Sequence, residues 1–224
     1  MGAATLKMPH FTTFLFDLDG TLIDHFAAIH RTHTHTMTSL GLPAPTMEQV
    51  HRSVGGGVEV AIERLVGRER LAAAIPIYRE FWERTMLDGV KLMPGARELL
   101  EALHARGAKL GVFTNKLGTS SRLICEHLRI APLLHGILGA KDTSWLKPQP
   151  EFAAHALAQL GAPAATALLV GDSPYDVQAA HNGGFPCWVV TTGTHSADEL
   201  RTAGADAIFP NLIELRAALD KTHT

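Results

Sequence analysis

The sequence contains little cysteine, little net charge and no long apolar run. Its two cysteines, Cys125 and Cys187, lie far apart and in no metal-binding spacing, which predicts reduced structural thiols of the kind found in cytosolic proteins. A formal net charge of -2 indicates no general attraction to nucleic acid or to an anionic membrane. Because no run approaches the roughly 20 residues of a membrane span, we expect no membrane partner.

The first residues, MGAATLKMPHF, also contain no apolar signal-peptide core, so we expect a cytoplasmic location. What the sequence does have is a 46% share of hydrophobic residues over 224 positions. That is enough for one substantial core together with a smaller insert. The sequence leaves the oligomeric state open between monomer and homodimer.

Six short apolar segments predict β-strands, and helical patterns separate most of them. Alternating strands and helices predict an α/β fold, with a Rossmann-like three-layer core around a parallel sheet. Two of the predicted helices end at glycines, Gly107 and Gly161, as helix C-termini often do. The predicted strands are TTFLF (12–16), KLGVFT (109–114), GILG (136–139), TALLVG (166–171), CWVVTT (187–192) and AIF (207–209).

Residues 25–91 interrupt this alternation, because they contain little that resembles a strand. Helical patterns cover 25–40, 47–54, 58–66 and 71–87, and glycine-containing turns separate them. The interval is far longer than a crossover between strands needs. We therefore predict a helical cap at 25–91, inserted into a core domain formed by 1–24 and 92–224.

Four polar clusters follow the predicted strands or precede a predicted helix. In parallel α/β sheets, ligands bind beyond the carboxyl ends of the strands, so we expect the clusters to meet there. Their carboxylates suit a hard cation such as Mg²⁺, and their lysine, threonine and backbone N–H groups suit a phosphoryl group. One aspartate can then act as a covalent nucleophile and another as an acid and base. The clusters lie at 17–21, 114–116, 147–151 and 171–176.

In this order and spacing, the segments DLDGTLID, VFTNK, LKPQPE and GDSPYD resemble the four motifs of the haloacid dehalogenase (HAD) superfamily of phosphotransferases. The insert follows the first motif, a position similar to that of the helical type-1 cap of this superfamily. The resemblance covers nearly the whole chain. It implies a Mg²⁺-dependent phosphatase that acts on a small phosphorylated metabolite through an aspartyl-phosphate.

The resemblance also implies the catalytic and metal-binding roles. Asp17 would be the nucleophile and a Mg²⁺ ligand. Asp19 would be the general acid and base and would offer its backbone carbonyl to the metal. Asp172 would bind Mg²⁺ directly, and Asp176 would hold the metal through water or position Lys147.

Substrate contacts follow from the same resemblance. Thr114 and Lys147 would bind the phosphoryl oxygens, with Asn115 in support. The cap segment VGGGVEVAIERLVG is similar to that of phosphoglycolate phosphatases. This likeness makes Gly56, within the glycine run, and the nearby Arg52 candidate substrate-binding residues.

The implied substrate is 2-phosphoglycolate, because TNK, the cap segment and PGARELLEAL together resemble phosphoglycolate phosphatases. A phosphomutase similar to β-phosphoglucomutase and a pyrophosphatase of the same superfamily remain alternatives. A signalling receiver domain also forms an aspartyl-phosphate with Mg²⁺. Such domains carry the nucleophile later in a shorter chain that has no cap, which disfavours this reading.

Three polar residues near the motifs receive separate interpretations. Asp24 lies where the chain enters the insert, so we expect it to cap the N-terminus of the next helix. Thr21 is expected to satisfy backbone groups of its turn. Lys116 is interpreted either as a substrate contact or as a solvated lysine.

The histidine-rich segment HRTHTHT occupies residues 30–36. Its histidines do not all share one helix face. We therefore expect a partly exposed cap helix rather than a transition-metal site. His30 or His33 could still face the active-site cleft.

Overall fold

A computed structural model describes residues 11–222 of the chain. Residues 1–10, on which the expectation of no signal peptide rests, therefore lie outside the described residues. Within residues 11–222, no helix combines the length and the apolar character that crossing a bilayer requires.

The predicted α/β fold is confirmed by a six-stranded parallel sheet. Its strands are β1 (Thr13–Phe16), β4 (Lys109–Leu117), β5 (Gly136–Ala140), β6 (Ala167–Gly171), β7 (Cys187–Val190) and β8 (Ala207–Phe209). They lie in the order β5-β4-β1-β6-β7-β8, and each neighbouring pair runs parallel. A separate antiparallel pair joins β2 (Ile23–Asp24) to β3 (Lys91–Leu92).

Both faces of the sheet are buried, which explains why the strands are apolar without alternation. Along β1, Phe14 and Phe16 belong to one hydrophobic cluster, and Leu15 belongs to the other. The first cluster includes buried residues of α5 (Ala96–Ala105), α6 (Gly118–His127) and α10 (Leu212–Thr222). The second includes buried residues of α7 (Pro150–Gln159), α8 (Pro174–Asn182) and α9 (Ala197–Thr202).

Residues 25–91, called here the helical insert, contain four α-helices close to the predicted ranges. They are α1 (Phe26–Ser39), α2 (Met47–Ser53), α3 (Val58–Val66) and α4 (Leu71–Thr85). Buried residues such as Ile29, Ile62 and Tyr78 belong to the same cluster as Phe14. The insert therefore shares a continuous apolar interior with one face of the sheet.

The interpretation of Asp24 as a helix cap is wrong. His25 occupies the N-cap position of α1 and makes no side-chain capping bond. Asp24 belongs instead to β2, where it pairs with Lys91 of β3 in the ladder and through a 3.2 Å contact between their charged atoms. The Asp24 carboxylate therefore pairs across the two short strands where the chain enters and leaves the insert, instead of capping a helix.

Candidate active site

The central position of β1 brings the sequence motifs to one end of the sheet. β1 pairs in parallel with β4 on one side and with β6 on the other. Asp17 directly follows β1, Asp172 directly follows β6, and Thr114 and Asn115 lie within β4. Four buried polar residues from three neighbouring strands therefore meet at the carboxyl edge, as the sequence predicts.

Lys147 connects two of the carboxylates at this edge. Its Nζ donates to Asp17 Oδ1 at 2.6 Å and to Asp176 Oδ1 at 2.6 Å. Its backbone N–H donates to Asn115 Oδ1 at 2.8 Å, and Asn115 Nδ2 donates back to the Lys147 carbonyl. Because backbone and ammonium group are both held, the Lys147 side chain has a fixed position beside Asp17.

Asp176 is fully engaged by hydrogen bonds. While Oδ1 accepts from Lys147, Oδ2 accepts from the backbone N–H groups of Asp172 and Ser173 and from the Ser173 hydroxyl at 2.6 Å. These bonds form a capping box at the start of α8. Thr21 also differs from its expected role, because its hydroxyl donates to Asp172 Oδ1 at 3.0 Å rather than to the backbone.

Three buried aspartates form a potential metal-binding group. Oxygens of Asp17, Asp172 and Asp176 all lie within 4.8 Å of one another. Only Lys147 offsets their charge by direct contact among the described residues, so the group keeps an excess of negative charge that suits a divalent cation. Space is also kept clear: a Cβ on Gly20, whose φ is +85°, would approach Asp172 Oδ2 to 2.7 Å.

Burial and mutual repulsion perturb these carboxyl groups. Burial raises the pKa of Asp17 to about 6; Lys147 opposes the rise and Asp176 adds to it. Burial, with the charges of Asp17 and Asp176, also raises the pKa of Asp172 well above its ordinary value. For Lys147, burial disfavours the ammonium form, but attraction to Asp17 and Asp176 outweighs it and raises the pKa. The cluster is thus short of positive charge.

Asp19 has a different environment, formed by two residues that were not assigned to it from sequence. Lys116 Nζ lies 2.8 Å from Asp19 Oδ2 and 4.5 Å from the centroid of the Trp82 ring. His25 Nδ1 lies 3.6 Å from Asp19 Oδ1, and its Nε2 lies 2.6 Å from the Met86 carbonyl. Burial opposes ionisation of Asp19, but Lys116 and His25 outweigh it and keep the pKa well below its usual range.

The interpretation of Lys116 as a solvated lysine is therefore wrong, since only 8% of its side chain is exposed. His25 is the residue directly after Asp24, where the first motif ends. Its position in the sequence alone gives no signal of contact with Asp19. The contact arises because the chain turns between Asp19 and Ile23, which form an isolated bridge, so that His25 at the start of the insert lies against Asp19.

A cavity of about 100 Å³ lies between the sheet edge and the helical insert. The sheet side includes the candidate site residues Asp17, Asp19, Thr114, Asn115, Lys147 and Asp172, together with Lys116. The insert side is mainly apolar and aromatic and includes Ile29, His33, Val58, Ala61, Tyr78 and Trp82. The cavity is therefore lined by polar residues on the sheet side and mainly by apolar residues on the insert side.

Two predicted substrate-binding residues do not line this cavity. Arg52 pairs with Glu48 at 2.7 Å, and its side chain is 79% exposed. Gly56 is flanked by Gly55 and Gly57, which do line the cavity, whereas a Cβ on Gly56 would face the Tyr175 hydroxyl at 3.1 Å. The backbone of the glycine run thus reaches the pocket, but not at the residue predicted.

The histidine-rich segment divides between different surroundings. His33 is buried and lines the cavity, and its Nε2 has no hydrogen-bond partner among the described residues. His30 Nε2 lies 2.9 Å from the Pro45 carbonyl, and His35 stacks on Phe81. Residues 11–222 show a potential metal group only at the three aspartates.

Known proteins share this sequence and fold over nearly the whole chain. A phosphoglycolate phosphatase of Yersinia pseudotuberculosis is 32% identical over 91% of both chains. The probable phosphatase IndB of Dickeya dadantii is 30% identical over 91% of both. A crystal structure of a predicted phosphoglycolate phosphatase from Haemophilus somnus superposes with a TM-score of 0.88 at 25% identity, covering 94% of this chain and 99% of that one.

The match to a family model extends from residue 14 to residue 190, and the model describes haloacid dehalogenase-like hydrolases. This range includes β1 with the carboxylates that follow it, the helical insert, and the strand-end residues up to Asp176. The chain belongs to the haloacid dehalogenase-like hydrolase family.

Proposed function

We propose that this protein is a phosphatase that removes phosphate from small phosphorylated metabolites through an aspartyl-phosphate. The observation that carries the proposal is the position of the Asp17 carboxylate, which lines the cavity, contacts Lys147 and belongs to the three-aspartate group. A carboxylate placed beside a cation and an oxygen-ligand group is arranged to attack phosphorus. The two phosphatase relatives support the same activity.

We propose Mg²⁺ as the cofactor, held by Asp17, Asp172 and the backbone carbonyl of Asp19. When bound, the ion would offset the carboxylate charges and withdraw electron density from the phosphoryl oxygens. Because both oxygens of Asp176 already accept hydrogen bonds, its proposed role is to fix Lys147 rather than to bind the metal directly.

The residues of this chain divide the reaction between them. An Asp17 oxygen attacks the phosphorus, and the bond from phosphorus to the leaving oxygen breaks as Asp19 donates a proton to that oxygen. Asp19 must take up this proton beforehand, against its low pKa. Asp19 then takes a proton from the water that attacks the aspartyl-phosphate, which restores both carboxyl groups. Thr114 and Lys147 bind the phosphoryl oxygens, and Asn115 supports them through its paired bonds to the Lys147 backbone.

We further propose that the helical insert acts as a cap that closes over the bound substrate. The cavity between insert and core supports this role, as does the bond from Asn115 Nδ2 to the Gly55 carbonyl at 3.0 Å. A closed cap would keep bulk water away from the reaction.

Release of inorganic phosphate from a panel of metabolite phosphates tests the function. The names of the curated relatives make 2-phosphoglycolate the first substrate to assay. Pyrophosphate and β-glucose 1-phosphate belong in the same panel. Hydrolysis of monoesters is the expected result, whereas isomerisation of the sugar phosphate without phosphate release would replace the phosphatase by a phosphomutase.

Asp17→Asn tests the nucleophile. The variant keeps the shape of the side chain but cannot form the aspartyl-phosphate, so we expect turnover to fall by at least about a thousandfold. Asp24→Asn is the matched control, because Asp24 pairs with Lys91 outside the cavity. Circular dichroism would verify the fold of both variants, and near wild-type turnover by a folded Asp17→Asn would refute the assignment.

A further inference from the structure

The part of the cavity wall that the insert supplies has no charged side chain. Nine insert residues line the cavity, and none of them is lysine, arginine, aspartate or glutamate. Four contribute only aliphatic groups, namely Ile29, Val54, Val58 and Ala61. The proposed phosphoryl site lies on the sheet side of the cavity, at Asp17. The wall that the insert supplies therefore faces the rest of the substrate.

The polar atoms of this wall are also uncharged at neutral pH. Burial, with a contribution from His30, lowers the pKa of His33 to about 4, so only about one ring in a thousand is protonated at pH 7. Burial raises the pKa of Tyr78 far above its ordinary value. Trp82 Nε1 already donates to Ser120 Oγ at 3.1 Å. The unpartnered His33 Nε2 can therefore offer a neutral hydrogen bond but not a charge.

Both lysines that line the cavity already contact carboxylates. Lys147 lies between Asp17 and Asp176, and Lys116 lies against Asp19. Two arginines of the insert, one on either side of the glycine run, have partners outside the cavity. Arg52 pairs with Glu48, while Arg64 donates to the Ser53 carbonyl and to the Tyr175 hydroxyl.

We infer that this site prefers phosphomonoesters with an uncharged, largely apolar leaving group over those that carry a second anionic group. The inference rests on the proposed phosphatase function and specifies its substrate class. A carboxylate on the leaving group would have to leave water for an uncharged, mainly apolar wall that offers it no cation. An alkyl or benzyl group would instead bury apolar surface against Ile29, Val58 and Trp82.

Matched substrates test the preference on the unaltered protein. Isobutyl phosphate replaces the carboxylate of 2-phosphoglycolate with an isopropyl group of similar shape, and benzyl phosphate offers a larger apolar group. With Mg²⁺ present, we expect kcat/KM for both esters to exceed that for 2-phosphoglycolate by at least about tenfold. Burying an apolar group of this size against the wall is sufficient for such a factor. A higher value for 2-phosphoglycolate would overturn the preference and leave the phosphatase function standing.

A different failure identifies the underlying proposal. If no ester in the panel releases phosphate, including p-nitrophenyl phosphate with its easily expelled leaving group, the proposed function is refuted, and the substrate preference falls with it.

Adding a cation to the wall gives an independent readout. Val58 lines the cavity and is half-buried, whereas Val60 on the same helix does not line it and is 38% exposed. Val58→Lys is expected to move the kcat/KM ratio of 2-phosphoglycolate to isobutyl phosphate upward by about tenfold. Val60→Lys, the matched control, should leave that ratio unchanged. An equal shift in both variants, or none in a folded Val58→Lys, would contradict the inference.

Discussion

At the scale of single residues, the contact between Lys116 and Asp19 determines how the candidate acid and base is held. The Lys116 ammonium group lies 2.8 Å and 3.1 Å from the two Asp19 oxygens, so both oxygens are oriented by one cation. His25 Nδ1, at 3.6 Å, is too distant for a good hydrogen bond and has no other partner among the described residues. Lys116 is thus the main positioning residue for Asp19.

Lys116→Gln should therefore slow the proton-transfer steps. Loss of a charge-assisted hydrogen bond costs about 1.5–3 kcal/mol, which corresponds to a fall of roughly tenfold to a hundredfold in kcat/KM, the constant that reports the step in which the leaving group departs. The fall should be large for isobutyl phosphate, whose leaving oxygen needs a proton. It should be smaller for p-nitrophenyl phosphate, whose leaving group departs without one.

Steady-state kinetics with both esters would check this difference. Lys141→Gln is the control, because Lys141 pairs with Glu59 and its side chain is 65% exposed. Equal losses of kcat/KM on the two esters would indicate that Lys116 stabilises the pocket without acting through Asp19 as the acid.

At this scale the positions of the motif residues at the sheet edge were predictable, but the residues that contact Asp19 were not. Asp17 and Asp172 directly follow buried strands and Asp19 comes two residues after Asp17, so their positions depend on the order of elements along the chain. The contacts of His25 and Lys116 depend instead on how the insert returns to the sheet edge, which no local pattern encodes. The same reason explains why the sequence does not reveal that Arg52 pairs with Glu48 instead of lining the cavity: its helix position was predictable, but its direction relative to the cavity was not.

At the scale of elements, α1 shows how one histidine-rich segment acquires distinct environments. His33 lies on the buried side of the helix, where its ring contacts Tyr78 at 4.8 Å between centroids. His35 lies on another side and stacks on Phe81. The buried His33 ring must lose a proton on folding at mildly acidic pH, so the free energy of unfolding should depend on pH through this residue.

The sign of that dependence follows from the pKa of His33, which is about 4 in the folded protein and about 6.5 in an unfolded chain. Between these values the unfolded chain binds more protons, so the free energy of unfolding falls as pH is lowered from about 6.5 to 4. His33→Phe removes this contribution. At pH 4.5, compared with pH 7, the variant should lose roughly 2 to 3 kcal/mol less stability than the wild type.

Urea unfolding at the two pH values would measure the difference. His35→Phe introduces the same ring on the same helix and serves as the control, and its pH dependence should follow the wild type. If His33→Phe also follows the wild type, His33 is not a group through which acid lowers the free energy of unfolding.

Elements with a strong apolar pattern were predictable, and short or pattern-poor ones were not. All six sheet strands and the four insert helices lie close to their predicted ranges, because buried strands and long helices have distinct patterns. The two-residue strands β2 and β3 are too short to show alternation. A helix was presumed at Cys125, but α6 begins with Gly118 and three hydroxyl residues, so its bounds were not predicted. Helix α9 has only six residues and was not predicted.

At the scale of the whole molecule, a chain with a formal charge of only -2 concentrates negative charge at one buried site. Of the three carboxylates at the end of the sheet, two contact the same lysine and the third contacts no lysine of residues 11–222, so their repulsion lowers the stability of the metal-free protein. Proteins commonly lose stability at functional sites in this way, and neutralising such a site often gains about 0.5–2 kcal/mol while activity is lost.

Asp172→Asn should separate these two effects. The asparagine oxygen can still accept the Thr21 hydroxyl, but one charge of the cluster is removed. Without Mg²⁺, we expect the free energy of unfolding to rise by about 1 kcal/mol, because repulsion from Asp17 and Asp176 is relieved. Phosphatase turnover should fall at least about a hundredfold, because a proposed ligand of the metal is lost.

Thermal unfolding with and without Mg²⁺ would measure the same site without any substrate. Mg²⁺ should raise the melting temperature of the wild type, because an ion that binds only the folded state stabilises it, and a chelator should reverse both this shift and turnover. The shift should be absent in Asp172→Asn and present in the control Asp88→Asn, whose residue is exposed and outside the cavity. A Mg²⁺ shift of wild-type size in Asp172→Asn would mean that the stabilising ion binds elsewhere and that the clustered charge serves another purpose.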